Sequence, residues 1–132
     1  MNDIKYLAVS EVMKPEIQKI DGLATVTEAI KEMRTAGCGS LIVDKRNDQD
    51  EYGLISIGDL AYKVVAPDFA PDRISCYQVM TKPVLSVESD MNVRYAIRLL
   101  TRFKISRALV LENGRAVGIV SLRDMVLAYA ID

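Results

Sequence analysis

Histidine is absent from this 132-residue sequence, which removes the usual general base at neutral pH, the usual zinc ligand and the Ser-His and Cys-His nucleophile pairs. Cysteine is scarce. Cys38 and Cys76 stand far apart, in neither a CxxC pair nor a metal-ligand array, and two cysteines do not make the disulfide framework of a secreted protein. Both read as small buried hydrophobes. No phosphate loop of the GxxxxGK(S/T) type occurs and no catalytic carboxylate pair can be placed, so an enzyme is not expected. Charge of either sign is not in excess: 17 basic residues face 18 acidic ones, for a formal charge of −1. That balance argues against a broad phosphate-binding face, and so against DNA or RNA as a ligand. No apolar run approaches the length of a membrane span, and Met1 to Ala8 lacks the apolar stretch of a secretory signal. A cytosolic protein is expected, off the membrane and without a metal or resident cofactor. Half of the residues are apolar, and a chain of this size buries about two-thirds of its unfolded surface, so a core can form unaided.

Laid against itself, the sequence repeats once. Val12-Met13 matches Val79-Met80 at a spacing of 67 residues, and the same spacing aligns Val26 with Val93, Ala29-Ile30 with Ala96-Ile97, and Val43 with Val110. Past one loop the spacing becomes 65, and Gly53-Leu54-Ile55-Ser56-Ile57-Gly58-Asp59-Leu60 lies on Gly118-Ile119-Val120-Ser121-Leu122-Arg123-Asp124-Met125. The first copy carries the longer loop, Asp44 to Tyr52, whose acid-rich part Asp48 to Glu51 reads as a solvated hairpin tip. Its counterpart around Glu112-Asn113-Gly114-Arg115 holds the Asn-Gly pair of tight hairpins.

Each copy predicts the same order of elements. Ile17 to Ile20 and Val84 to Val87 alternate as short strands. A helix follows, with Val26, Ala29, Ile30 and Met33, or Val93, Ala96, Ile97 and Leu100, at i, i+3, i+4 and i+7. Thr25 and Asn92 are its expected N-caps, Glu28 sits where a capping box would place it, and Gly37 suits the C′ position. Two apolar runs then pair as a hairpin, Leu41 to Val43 with Gly53 to Ile55, and Ala108 to Leu111 with Val117 to Val120. A second helix starts after Ser56 or Ser121, with stripes Ile57, Leu60, Ala61, Val64 and Leu122, Met125, Val126, Tyr129. Ala66 to Asp72, with two prolines, reads as a connector. The expected fold is α+β, with two tandem β-α-β-β-α repeats packed about a pseudo-two-fold axis. The expected division is 1–66 for an amino-terminal extension and first repeat, 67–72 for the connector and 73–132 for the second repeat. Junctions between such copies are common ligand sites.

The segment Gly-apolar-apolar-Ser-x-x-Asp, at Gly53 to Asp59 and Gly118 to Asp124, has two readings. In one it is a capping box, the serine hydroxyl taking an amide of the first turn and the acid answering the positive helix end. In the other the helix start faces a cleft, where amides and hydroxyl meet a phosphate while the acid accepts from neutral donors such as a ribose diol. Arg107 and Arg123 in the second copy would then offset phosphate charge; the first copy has Ser40 and Gly58 in their places.

The duplicated unit, opened by Val-Met and closed by that motif, resembles a cystathionine-β-synthase (CBS) domain pair, or Bateman module, from about Val9 to Ala130. The resemblance implies a regulatory module for AMP, ADP, ATP or S-adenosylmethionine, with the adenosine compound as regulatory ligand. It implies ribose contacts for Asp59 and Asp124, and phosphate neighbours in Ser56 and Ser121. Adenine would be bracketed by the backbone of Lys14, Pro15 and the chain to Ile17, and of Lys82, Pro83, Val84 and Leu85, with Met13 and Met80 at the pocket wall. The family's basic residue falls on Arg107. Ser40 departs from that pattern, so the site built on Asp124 is expected to be the better one. No proline lies within Ser40 to Val43 or Arg107 to Val110, another departure. The resemblance further implies homodimers and an effector protein, since the pair consumes the chain; the alternative is an assembly module that needs no ligand.

Overall fold

The computed structural model describes residues 6–130; the part of the amino-terminal reading that rests on Met1 to Lys5 lies outside them. The chain divides into two compact units, one from Gln18 to Val84 and the other made of the chain up to Ile17 together with the chain from Leu85 onward.

In the Gln18–Val84 unit, strand β1 (Lys19–Ile20) leads to helix α1 (Val26–Ala36), then to β2 (Ser40–Val43) and β3 (Gly53–Ser56). β1 pairs parallel to β2, and β2 antiparallel to β3, in register Leu41 to Ile55. The helix begins where Thr25, in extended backbone, accepts the Glu28 amide at 3.2 Å. It ends at Gly37, whose φ of 66° lets its amide turn back to the Met33 carbonyl. After β3 come a single turn, α2 (Ile57–Leu60), and a π-helical turn over Ala61–Val65 closed by the Ala66 amide on the Ala61 carbonyl at 2.9 Å. A short helix α3 (Cys76–Val79) follows. Val26, Ala29 and Met33 bury one face of α1 on Leu41, Val43 and Ile55, with Leu60, Val64, Cys76 and Val79 completing the core. Burial pushes the Cys76 thiol up to about 11, so it stays a neutral thiol at physiological pH.

The other unit repeats the plan with β4 (Ser86–Glu88), α4 (Val93–Arg102), β5 (Arg107–Glu112), β6 (Arg115–Ser121) and α5 (Leu122–Ala130). β4 is parallel to β5, and β5 antiparallel to β6 across Asn113 and Gly114, both at positive φ. Asn92 caps α4 by accepting the Arg94 amide at 2.9 Å. Val93, Ala96 and Leu100 are buried with Val87, Val110, Val120 and Met125. The residue aligned with Gly37 is Lys104, which takes the same left-handed conformation at φ 56°. A Cβ is disfavoured there, so Lys104→Gly is expected to stabilise the protein by about 0.5–1 kcal/mol. A melting midpoint raised by a few degrees checks this.

Two expectations need correction. In the second helix of each repeat only Leu60 and Val64, and Met125, are buried. Ile57, Val126 and Tyr129 are about half exposed and Ala61 is exposed, because the π turn and the set of α5 present only one row of side chains to the sheet. The strands also begin later than alternation suggests: Ile17 and Gln18 precede β1, and Val84 and Leu85 precede β4.

The segments that open the repeats settle where only long-range contacts could put them. The Val9 amide bonds the Met91 carbonyl and the Val93 amide the Leu7 carbonyl, both at 2.8 Å, so the first opening segment packs on elements of the second repeat. Correspondingly, the Cys76 amide bonds Ala24 and the Val26 amide bonds Ile74, so the second opening segment packs on elements of the first.

Candidate functional site

Each Gly-apolar-apolar-Ser-x-x-Asp segment runs from the last strand of a sheet into the helix that follows. Its glycine is there because another chain segment lies on it. A Cβ at Gly118 would stand 2.5 Å from the Met13 Sδ and 2.8 Å from the Lys14 carbonyl oxygen; at Gly53 it would meet the Met80 Sδ at 2.6 Å and the Thr81 carbonyl at 3.3 Å. The crossing backbones are pinned by paired hydrogen bonds, Lys14 with Ile119 at 2.8 and 2.9 Å, and Thr81 with Leu54 at 2.8 and 2.9 Å. Met13 and Met80 are therefore half-buried, and Lys14 is carried to the edge of β6.

There, in one unit, a cleft of about 230 Å³ is lined by Lys14, Ser106, Arg107, Ile119, Ser121, Arg123 and Asp124. Four residues singled out from the sequence, Arg107, Ser121, Arg123 and Asp124, thus come together with Lys14. Pro15 and Ile17 follow on the chain, exposed and half-buried, and do not line it. Ser106 was not foreseen. Its carbonyl accepts the Leu122 amide at 2.9 Å, as Gly39 does for Ile57, and that alignment was the available signal.

The two motifs differ in what their acids do. Asp59 is a full capping box: one carboxylate oxygen accepts the Ser56 amide and hydroxyl at 3.0 Å each, the Asp59 amide donates to the Ser56 hydroxyl at 3.1 Å, and Lys63 lies 3.5 Å from the other oxygen. Lys63 also donates to the Val79 carbonyl at 2.9 Å. In the second copy the Asp124 amide donates to the Ser121 hydroxyl at 3.0 Å, while the carboxylate has no hydrogen bond or ion pair among the described residues. The residue matching Lys63 is Ala128. The capping reading accounts fully for Asp59 and only half for Asp124, whose carboxylate stands in a cleft with three cations.

Lys82, Pro83 and Val84 lie in the other unit. The Val84 amide bonds the Tyr52 carbonyl at 3.0 Å, and the Lys82 ammonium pairs with Asp50. Asp50 also accepts the Arg46 amide at 2.9 Å and its Nε at 3.3 Å, and only 7% of its side chain is exposed. The tip Asp48 to Glu51 is thus not simply solvated, because Asp50 folds inward to anchor the loop. The Lys82 ammonium holds its carboxyl well below the usual carboxylate range, aided by Arg46. A lowered folded pKa means that its contribution to stability is complete above the unfolded value and is lost as pH falls below it. Asp50→Asn is therefore expected to lower the urea midpoint at neutral pH, and the gap from wild type to narrow once pH falls below about 4, near the unfolded carboxylate value. In the same unit a cleft of about 560 Å³ is bordered by Lys19, Leu23, Arg46 and Tyr77, among others. The sequence reading singled out none of these; Gly22, on which the Tyr77 ring rests, was the only hint.

Among the described residues no group of His, Cys, Asp and Glu side chains could hold a metal ion. No helix among them is long and apolar enough to cross a membrane.

Comparison with known proteins agrees with this architecture. The family model for the CBS domain matches twice, over residues 9–66 and 76–131. An uncharacterized protein of Methanopyrus kandleri is 32% identical over 93% of this chain, which spans 63% of that relative's length. A hexameric CBS-CP12 protein from bloom-forming cyanobacteria superposes with a TM-score of 0.84 at 35% identity, over 92% of this chain and 67% of that one. A CBS domain protein from Pyrobaculum aerophilum, complexed with AMP, shares the fold with a TM-score of 0.79 at 23% identity, over 94% of this chain and 98% of that one. With two matches in tandem that together cover most of the chain, and two three-stranded sheets with their helices, the chain belongs to the CBS-domain family.

Proposed function

We propose that this CBS pair is a regulatory module that binds an adenosine nucleotide in the cleft built on Asp124, Ser121 and Arg107, and transmits that binding to a partner protein. The observation that carries the reading is the asymmetry of the two acids: Asp59 is consumed by its own helix cap and Lys63, whereas the Asp124 carboxylate has no hydrogen bond or ion pair among the described residues. A carboxylate beside three cations suits a ligand with neutral donors at one end and negative charge at the other. Ribose hydroxyls supply the donors and phosphates the charge, met by Arg107, Arg123 and Lys14. Lys14, which lines the cleft, is the candidate adenine neighbour, with Met13 before it and the chain to Ile17 leading away from the cleft; Met80 and Lys82 to Val84 are the counterparts beside Ser56 and Asp59, a weaker site because Lys82 and Asp59 are already paired. CBS domain proteins are commonly regulatory, and the Pyrobaculum structure holds AMP. The module acts as a cytosolic sensor rather than a catalyst, and ligand shifts it only by differential affinity for its arrangements.

Titration of the purified protein with AMP and ATP in a thermal melt tests this. A ligand of the native state raises the midpoint with concentration. Absence of a shift at millimolar nucleotide would favour the second reading, a ligand-independent assembly module. One observation supports assembly in its own right: Ile57, Tyr62 and Val65 after β3, and Val126, Leu127 and Tyr129 on α5, are about half or more exposed. Apolar residues concentrated on these helices fit self-association into a homodimer, and the CBS-CP12 relative is hexameric.

A further inference from the structure

Between Met91 and Leu111 the chain carries five cations and no acid, although its overall charge is −1. Three of them, Arg94, Arg98 and Arg102, recur every fourth residue on α4, about 6 Å apart along the axis; Arg98 and Arg102 are exposed on the side away from buried Val93, Ala96 and Leu100, while Arg94 flanks them half-buried, its Nε out of solvent with no hydrogen-bond partner among the described residues. Like charges at this spacing repel and weaken a helix, and none of the three forms an ion pair among the described residues. The repeat supplies an internal control. In α1, which has the same place in the other unit, the residues matching Arg94, Arg98 and Arg102 are Thr27, Lys31 and Thr35, with Glu28 and Glu32 next to them, so the fold does not require three cations in a row there.

Two features give that face a shape. The guanidinium groups of Arg94 and Arg98 lie 5.5 and 5.6 Å from the centre of the Tyr95 ring, which orders them in advance of any contact. Tyr95 and Phe103 are 50% and 57% exposed, adding apolar area beside the charge. Arginine and tyrosine are the residue types that dominate protein interfaces, and arginine pairs carboxylates through two parallel hydrogen bonds.

We propose that the outward face of α4 is a docking surface for an acidic segment of a partner protein. Charge complementarity selects an anion, and two features select a protein over a nucleic acid. The Tyr95 ring is already covered by two guanidinium groups and offers no stacking platform for a base. Outside the 91–111 stretch the chain is acidic, and would repel a long polyanion. The surface is separate from the nucleotide reading, since none of these α4 residues lines the Asp124 cleft.

The probe is a fluorescent polyglutamate peptide of about 20 residues, followed by anisotropy with the full chain at low and at physiological salt. Wild type is expected to bind it with affinity that falls as salt rises. Arg94→Ala, Arg98→Ala and Arg102→Ala combined should weaken binding at least about tenfold without lowering the melting midpoint, and the same three changed to Lys should restore it to within a few-fold. Failure of wild type to bind at low salt, undiminished binding by the alanine variant, or tighter binding of an oligothymidine or of phosphatidylglycerol vesicles would overturn the proposal. So would an equal loss on Arg107→Ala, which would assign the signal to the cleft. A smaller sedimentation coefficient for the alanine variant would make the face a contact between copies of this chain, also overturning it.

Discussion

Asp124→Ala is expected to weaken AMP binding by about 10- to 100-fold, the equivalent of about one charge-assisted hydrogen bond at 1.5–3 kcal/mol. The loss is smaller than two such bonds would give, because deleting the carboxylate also removes a negative charge from among Lys14, Arg107 and Arg123 and so strengthens their hold on phosphate. That offset grows with ligand charge, so ATP should lose less affinity than AMP. Arg107→Ala should show the reverse order. Asp59→Ala should leave nucleotide affinity within about twofold while costing about 1 kcal/mol of stability through the lost cap. Isothermal titration of the three variants with both nucleotides separates these outcomes. Loss of binding on Asp59→Ala alone would move the site to the first motif.

The second large effect falls on stability. At Gly118 a methyl group would meet the Lys14 carbonyl at 2.8 Å, and that carbonyl is held by the Ile119 amide while the Lys14 amide is held by Ile119 in return. Making room means separating two backbone hydrogen bonds as well as overpacking a tight contact. Together these amount to about 2–4 kcal/mol, a large share of the stability of a small domain. Gly118→Ala should therefore lower the urea midpoint strongly, and by drawing Lys14 away from the cleft it should also weaken nucleotide binding. Gly53→Ala is the matched control. There the backbone neighbour is at 3.3 Å and the close atom is the flexible end of Met80, so a cost of about 1 kcal/mol is expected. Equal costs at the two positions would contradict the account of why both motifs open with glycine.

Local signals were legible because each has a local cause. Thr25, Asn92 and Ser56 cap helices where the sequence has a short polar side chain ahead of an apolar stripe. Gly37 ends α1, and Asn113-Gly114 turns β5 into β6. The cleft was partly legible, since recurrence of the serine and aspartate pointed to Ser121 and Asp124, and the absence of a basic residue at Ser40 pointed away from the first copy. The contrast between Lys63 and Ala128, one turn after each acid, was also in the sequence, but a lysine at that spacing gains meaning only when its ammonium is seen at the carboxylate. The inward turn of Asp50 was not legible at all, for its partner Lys82 is a distant residue on another element.

The sequence by itself determined the duplication, the order of elements in each copy and the family, and named candidate residues for a nucleotide site, because periodicity, caps and turns are written within a few residues of where they act. The tertiary structure decided which segment crosses each glycine, which acid is spent on its own helix and which stands open, and which helix faces go uncovered. Those outcomes depend on contacts between residues far apart along the chain, and no local pattern encodes the partner that arrives.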